Sequence, residues 1–126
     1  MVFLFDEQQG RPMLKKTVLR RKSDFALIYN KGKSVPEKCI VLFAKKNDFP
    51  YSRVAFLASK KVGNSVARNR ARRLMKESYR EIREDLAAGY DMIFIARKTI
   101  CNLKCADVKK SMEAAAKRAG TLFKKV

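Results

Sequence analysis

Residues 59–80 read SKKVGNSVARNRARRLMKESYR, and the reading of this stretch decides the fold. On a helical wheel that advances about 100° per residue, Ala67, Ala71, Leu74, Met75, Ser78 and Ile82 fall within one narrow arc. The opposite arc holds Asn69, Arg72, Arg73, Lys76, Arg80 and Arg83, with Glu77 and Glu81 at its flank. The spacing predicts an amphipathic helix from about Ser65 to Asp85, laid by its apolar arc on a sheet. Gly63 permits an unusual turn before it, and Asn64 or Ser65 is suited to cap it. Between Arg68 and Lys76 no acid is available to pair with the positive charges. Arginine's planar fork grips phosphate at two points, whereas lysine offers a point charge. The helix start adds free N–H groups and a positive dipole end, with Lys60 and Lys61 just ahead of it. The bland reading is a solvated helix face laced with ion pairs. The missing acids and the arginine content favour a partner that carries many phosphates. The Gly-Lys-Ser/Thr ending of a phosphate-binding P-loop is absent.

The rest of the chain supplies the sheet. KCIVLFAKK (38–46) reads as a strand with Cys39, Val41 and Phe43 on one face and Ile40, Leu42 and Ala44 on the other. After a turn at NDFPYS (47–52), RVAFLAS (53–59) reads as a second strand, expected to pair antiparallel with the first. AGYDMIFIARK (88–98) holds a third. Its continuous apolar run from Met92 to Ala96 points to burial on both faces and an inner position. Ahead of the strands, SDFALIYNKG (23–32) reads as a short helix with Ser23 as N-cap and Gly32 at its end. Phe25, Ile28 and Tyr29 share one face of it. From about Asp107 a closing helix is expected, with Val108, Met112, Ala115, Ala119, Leu122 and Phe123 inward. The order helix, strands, helix, strand, helix is that of a small α/β sandwich.

Composition narrows the function. The chain has 126 residues, one domain's worth. Its 30 Lys and Arg against 12 Asp and Glu give a net charge of +18. A folded domain so basic most often serves nucleic acid. An anionic membrane is the other usual partner, but Ala67, Ala71 and Ser78 opposite the charge are poor lipid anchors. No apolar run approaches the ~20 residues that span a bilayer, and the opening lacks a signal peptide's pattern. The chain is expected in the cytoplasm. Cys39, Cys101 and Cys105 are odd in number and read as free thiols of a reducing compartment. The chain has no histidine, which removes a usual general base and a common zinc ligand. Glu81, Glu84 and Asp85 read as a solvated acidic helix end. No catalytic and no metal-binding residue is assigned.

Residues 59–80 closely resemble the signature of the bacterial ribonuclease P protein subunit. The family's arginine–asparagine–arginine motif matches Arg68, Asn69 and Arg70, and its basic continuation matches Arg72, Arg73 and Lys76. LRRKSDFALIYNKGKS (19–34) resembles its entry segment, and GYDMIFIARK (89–98) its final strand. The likeness covers 14 to about 124. Residues 1–13 fall outside it and are expected to form a disordered extension, with Met13 an alternative start. Residues 14–126 are expected to form a single RNA-binding domain.

The resemblance implies an α+β fold like domain 2 of ribosomal protein S5. It has a four-stranded mixed sheet, three helices and a left-handed β–α–β crossover around the basic helix, where general rules give a right-handed one in about 98% of cases. It implies a protein subunit that assists an RNA catalyst in removing the 5′ leader of precursor tRNA. The partners it implies are the ribonuclease P RNA subunit and precursor tRNA, with no membrane and no protein partner expected to be required. By the same resemblance the protein alone is expected to bind no cofactor, with magnesium ions in the assembled ribonucleoprotein. Two RNA sites follow. The first comprises Lys60, Lys61, Asn64, Arg68, Asn69, Arg70, Arg72, Arg73, Lys76 and Arg80. The second is a cleft for the single-stranded leader, lined by Phe25, Tyr29, Val41 and Phe43. On spacing alone Phe25 and Tyr29 read as core packing, and a shifted register would put Ile40 and Leu42 in place of Val41 and Phe43. The alternatives are a ribosomal protein or general RNA chaperone, which would share the basic stripe without the cleft, and a metal-dependent nuclease, for which the carboxylates are too scattered.

Overall fold

The computed structural model describes residues 3–6, 11–14 and 17–121. Two short strands, β1 (Phe3–Asp6) and β2 (Arg11–Leu14), pair antiparallel ahead of the main body. Seven of these eight positions fall within the extension at residues 1–13, whose other residues lie outside the described ones. The body consists of α1 (Lys22–Lys31), β3 (Lys33–Pro36), β4 (Ile40–Lys46), β5 (Arg53–Leu57), α2 (Ser65–Ile82), β6 (Tyr90–Ala96) and α3 (Cys105–Ala119). Short 3-10 turns follow α2 at Arg83–Asp85 and β6 at Lys98–Asn102.

The sheet order is β3-β4-β6-β5, with β6 antiparallel to β4 and parallel to β5. The expected antiparallel pairing of β4 with β5 is therefore wrong. The strand with the longest apolar run takes the place between them, because Met92, Ile93 and Phe94 are buried completely only with a neighbour on each edge. The connection between β4 and β5 arches over the start of β6 instead. There the Asn47 N–H donates to the Gly89 carbonyl at 2.7 Å. The inner position expected for 92–96 is correct. The four-residue strand β3, with only Val35 buried, was too short to be read from its pattern.

The two faces of the sheet are covered unequally. α2 and α3 close one face over Ile40, Leu42, Ala44, Val54, Met92, Phe94 and Ala96, adding Ala71, Met75, Ile82, Val108, Met112, Ala115 and Ala116. Phe56 stacks on Phe94 with centroids 5.8 Å apart, and Tyr79 packs against both rings. The other face carries α1 and the segment that leads into it, over a small cluster of Leu19, Ile28, Ala55 and Ile93. Cys39, expected beside Val41 and Phe43, instead packs in the larger core. It precedes the strand, where the chain bends, so the alternation begins only at Ile40.

The helix ends explain themselves locally. α1 starts one residue before Ser23, with Arg21 in the N-cap position and no side-chain cap, so Ser23 is not the cap. The Asp24 and Phe25 N–H groups donate to the Arg21 carbonyl. Gly32 ends the helix in extended backbone, and its requirement is space. A Cβ there would collide with the Ile28 carbonyl and come within 2.9 Å of that of Ala44. α3 begins at Cys105, two residues earlier than expected, where the Lys104 N–H donates to Asp107 Oδ2 at 3.2 Å. It ends at Gly120, whose φ of 79° is the left-handed cap that glycine favours. Leu122 and Phe123 lie outside the described residues.

Candidate nucleic-acid interface

The basic helix is built as its wheel implies. Ala71, Met75, Ser78 and Ile82 are buried, with Ala67 and Leu74 partly so. The buried Ser78 hydroxyl donates to the Leu74 carbonyl at 2.8 Å, so it enters the core without an unmet donor. Asn64 is the N-cap, its Oδ1 accepting from the Ala67 N–H at 3.0 Å. Gly63, with φ 147°, makes the preceding turn. Lys60, Lys61 and Asn64 are exposed at this end, so three polar side chains surround the helix's positive terminus.

The arginines divide into two kinds. Arg73 and Lys76 are exposed. Arg68 donates through one terminal nitrogen to Ser65 Oγ at 3.3 Å, while its Nε is shut away from solvent without a partner. Arg72 donates to Asn69 Oδ1, which orients the Asn69 amide on the same exposed face. Among the described residues none of Arg68, Arg70, Arg72, Arg73 and Lys76 has a carboxylate at ion-pair distance. Arg70 differs from its neighbours. Its two terminal nitrogens donate to the Cys101 and Leu103 carbonyls at 3.1 and 2.9 Å, strapping α2 to the segment that leads into α3. Arg80 is half-buried and engaged within the protein. Arg70 and Arg80 are therefore less free for an outside partner than the stripe reading has them. The sequence around Arg70 carries no sign of the carbonyls that engage it.

The second candidate surface is the gap between α1 and the open face of the sheet. Register decides its floor. Val41 lies opposite Ile95 and Phe43 opposite Ile93, with Ala55 and Leu57 following on the far edge. Val41 and Phe43 thus stand on the α1 side and are half-buried, while Ile40 and Leu42 are fully buried on the other. Phe25 and Tyr29 lie 6.4 Å apart on α1, and Tyr29 meets Phe43 edge-on at 4.9 Å. Phe25 is half-buried, and Tyr29 keeps 40% of its surface exposed. Partial burial pushes the Tyr29 hydroxyl's pKa up. All four residues named from the sequence therefore come together. Leu57 and Ile95 join them and were missed, although the alternation in RVAFL marks Leu57.

Sequence reading also missed an ionic cluster at the end of this gap. Arg53 donates through Nε and one terminal nitrogen to the Asp91 carboxylate, at 2.9 and 2.6 Å. Its other terminal nitrogen reaches Asp24 Oδ2 on α1 at 3.3 Å. Asn47 Nδ2 donates to Asp91 Oδ1 at 2.8 Å. The hydrogen bonds it donates to Asp91 outweigh the burial of the guanidinium and raise its pKa. Among the described residues no three cysteines, aspartates or glutamates are gathered as a metal-ligand group, and all three cysteines are free thiols. No described helix is long and apolar enough to cross a membrane.

Comparison with known proteins agrees with this architecture. A family model described as Ribonuclease P matches residues 13–120. The ribonuclease P protein component of Clostridioides difficile is 45% identical over 101 residues, 79% of this chain and 89% of that protein. That of Clostridium botulinum (strain 657) is 38% identical over 108 residues, 85% and 97% of the two chains. The solved RNase P protein of Staphylococcus aureus superposes with a TM-score of 0.76 at 29% identity, covering 84% of this chain and 97% of that one. That of Thermotoga maritima gives 0.72 at 29% identity, covering 79% and 94%. The match takes in α1, the whole sheet, the basic helix and α3, and on this ground the chain belongs to the ribonuclease P protein component family.

Proposed function

We propose that this chain is the RNA-binding subunit of a cytoplasmic ribonucleoprotein in which the RNA performs magnesium-dependent removal of the 5′ leader from precursor tRNA. The observation that carries this reading is the outer face of α2. Arg68, Arg72, Arg73 and Lys76 lie together there, with no carboxylate among the described residues to neutralise them. Phosphates of the RNA subunit supply that neutralisation, joined by Lys60, Lys61, Asn64 and Asn69 at the helix start. Magnesium belongs to the RNA, and this chain lowers the repulsion between phosphates that must come together around the ions. The gap lined by Phe25, Tyr29, Val41 and Phe43 receives the leader. Stacking on aromatic rings is worth about 1–3 kcal/mol per base and tolerates any base, which suits a strand of variable sequence. No further protein partner is required.

Reconstitution tests the whole reading. The protein, ribonuclease P RNA and precursor tRNA at low magnesium should together yield 5′ cleavage, and the protein alone should yield none. Cleavage by the protein alone, or no gain over RNA alone, would refute it. The helix is tested separately. Replacing Arg68, Arg72 and Arg73 together by alanine should lower the slope of log affinity for the RNA against log salt by about 0.7–0.9 for each phosphate no longer neutralised. Arg70→Ala should reduce stability and leave that slope nearly unchanged, because its guanidinium is held by main-chain carbonyls. A slope indifferent to the triple replacement rules out phosphate binding by those three arginines.

A further inference from the structure

We propose that Asp24 and Arg53 form a positioning clamp that sets α1 over the sheet, and so gives the cleft its preference for RNA bearing an unpaired 5′ segment. The proposal rests on the cleft being the leader site and assigns two residues that lie outside its lining.

The physical starting point is how little else holds α1. The helix has ten residues and one fully buried side chain, Ile28. Most of a helix's stability in a protein comes from packing of its apolar face, and a single anchor allows a rod some 15 Å long to swing about it. Both ends of α1 are tied. At the C-terminal end Gly32 sits tight against the Ile28 and Ala44 carbonyls. At the N-terminal end the entering chain is bonded to β5, the Leu19 N–H donating to the Val54 carbonyl at 3.1 Å, and the helix itself is tied by Asp24 to Arg53 at 3.3 Å.

Arg53 is prepared for this role. Its fork is fixed on Asp91 of the central strand by two hydrogen bonds, and Asn47 fixes Asp91 in turn. The Phe49 ring lies under the guanidinium, 4.9 Å from centroid to carbon. The Arg53 and Asp91 side chains retain only 17% and 7% of their surface, and that of Asp24 24%, so the charges are less screened than a surface pair. With two donors spent on Asp91, the remaining terminal nitrogen points at α1. Asp24 immediately precedes Phe25, and Tyr29 lies one turn on against Phe43. A shift of the first turn therefore moves Phe25 across the cleft while Ile28 keeps the helix on the sheet.

The test uses the reconstituted holoenzyme and the ratio of its affinities for precursor and mature tRNA. Asp24→Asn should lower that ratio about fivefold or more, the size of one partly screened charged hydrogen bond, with RNA-subunit affinity and its salt slope unchanged. Asp24→Glu, which keeps the charge, should restore most of it. Asp24 also favours the helix dipole. The double variant Ser23→Asp, Asp24→Asn returns an acid to the first turn without the clamp and should stay low. Recovery in that variant would assign the effect to the dipole and overturn the proposal, as would equal losses on precursor and mature tRNA. Phe43→Ala separates this proposal from the reading beneath it. If Phe43→Ala lowers the ratio and Asp24→Asn does not, the clamp is wrong and the cleft stands. If neither lowers it, both fall.

Discussion

The two faces of the sheet in this protein are built from the same three strands, β4, β5 and β6, and do opposite things. On one face α2 and α3 bury Leu42, Met92 and Phe94 completely. On the other, the α1 face, a single short helix leaves Phe25, Tyr29, Val41 and Phe43 partly open. Strand residues alternate between these faces, so adjacent positions such as Leu42 and Phe43 belong to different tasks. The closed face supplies the burial that holds the domain together. That frees the open face to keep aromatic surface exposed, and frees the far side of α2 to accumulate like charge. With a net charge of +18 the fold carries a self-repulsion that only a dense core on one side can offset.

The largest effect that would break this contrast is on the closed face. Phe94→Ala should cost about 3–5 kcal/mol in a urea melt, since it empties a fully buried ring from between Phe56 and Tyr79. A cost near that of an exposed site would mean that the closed face is not the source of stability.

Next in size is a pH effect on the same face. Burial pushes the Tyr79 hydroxyl from its usual 10.0 up to about 12. The folded state thus holds the proton more tightly than the unfolded one. The stability linked to it is fully present below pH 10 and is lost as pH rises towards 12, roughly 2–3 kcal/mol in all. Tyr79→Phe should remove this loss relative to the parent chain in melts taken between pH 9 and 12. Parallel curves for the two chains would contradict it.

Smaller still, and on the open face, Phe43→Ala should cost less in stability than Phe94→Ala. It should lower affinity for precursor tRNA by about 1–3 kcal/mol while sparing mature tRNA. A stability cost equal to that of Phe94→Ala, with both RNAs affected alike, would turn the open face into a second core.

Much of this was legible without coordinates. The basic helix was foreseen from Ser65, with Asn64 as one of two possible caps and the correct buried arc. Periodicity and capping are local properties of a few adjacent residues. The alternation in 40–44 separated Val41 and Phe43 from Ile40 and Leu42, and the unbroken run at 92–96 announced the inner strand. The β4–β5 pairing failed because a short turn between two strands makes a hairpin available but does not require it. Arg70 was read as part of the charged stripe because its carbonyl partners lie 31 and 33 positions away. The ionic cluster of Asp24, Arg53 and Asp91 was invisible for the same reason. Its members are spread over 67 positions, 24 to 91, and each looks like an ordinary surface charge.

By itself, then, the sequence determined which side of α2 and of β4 faces inward and where the basic helix begins. These follow from the spacing of side chains along one helix or strand. Only the tertiary structure decided which strands are neighbours, which arginines are already engaged, and which face of the sheet stays open. Those depend on approaches between residues far apart in the chain, and no local pattern records them.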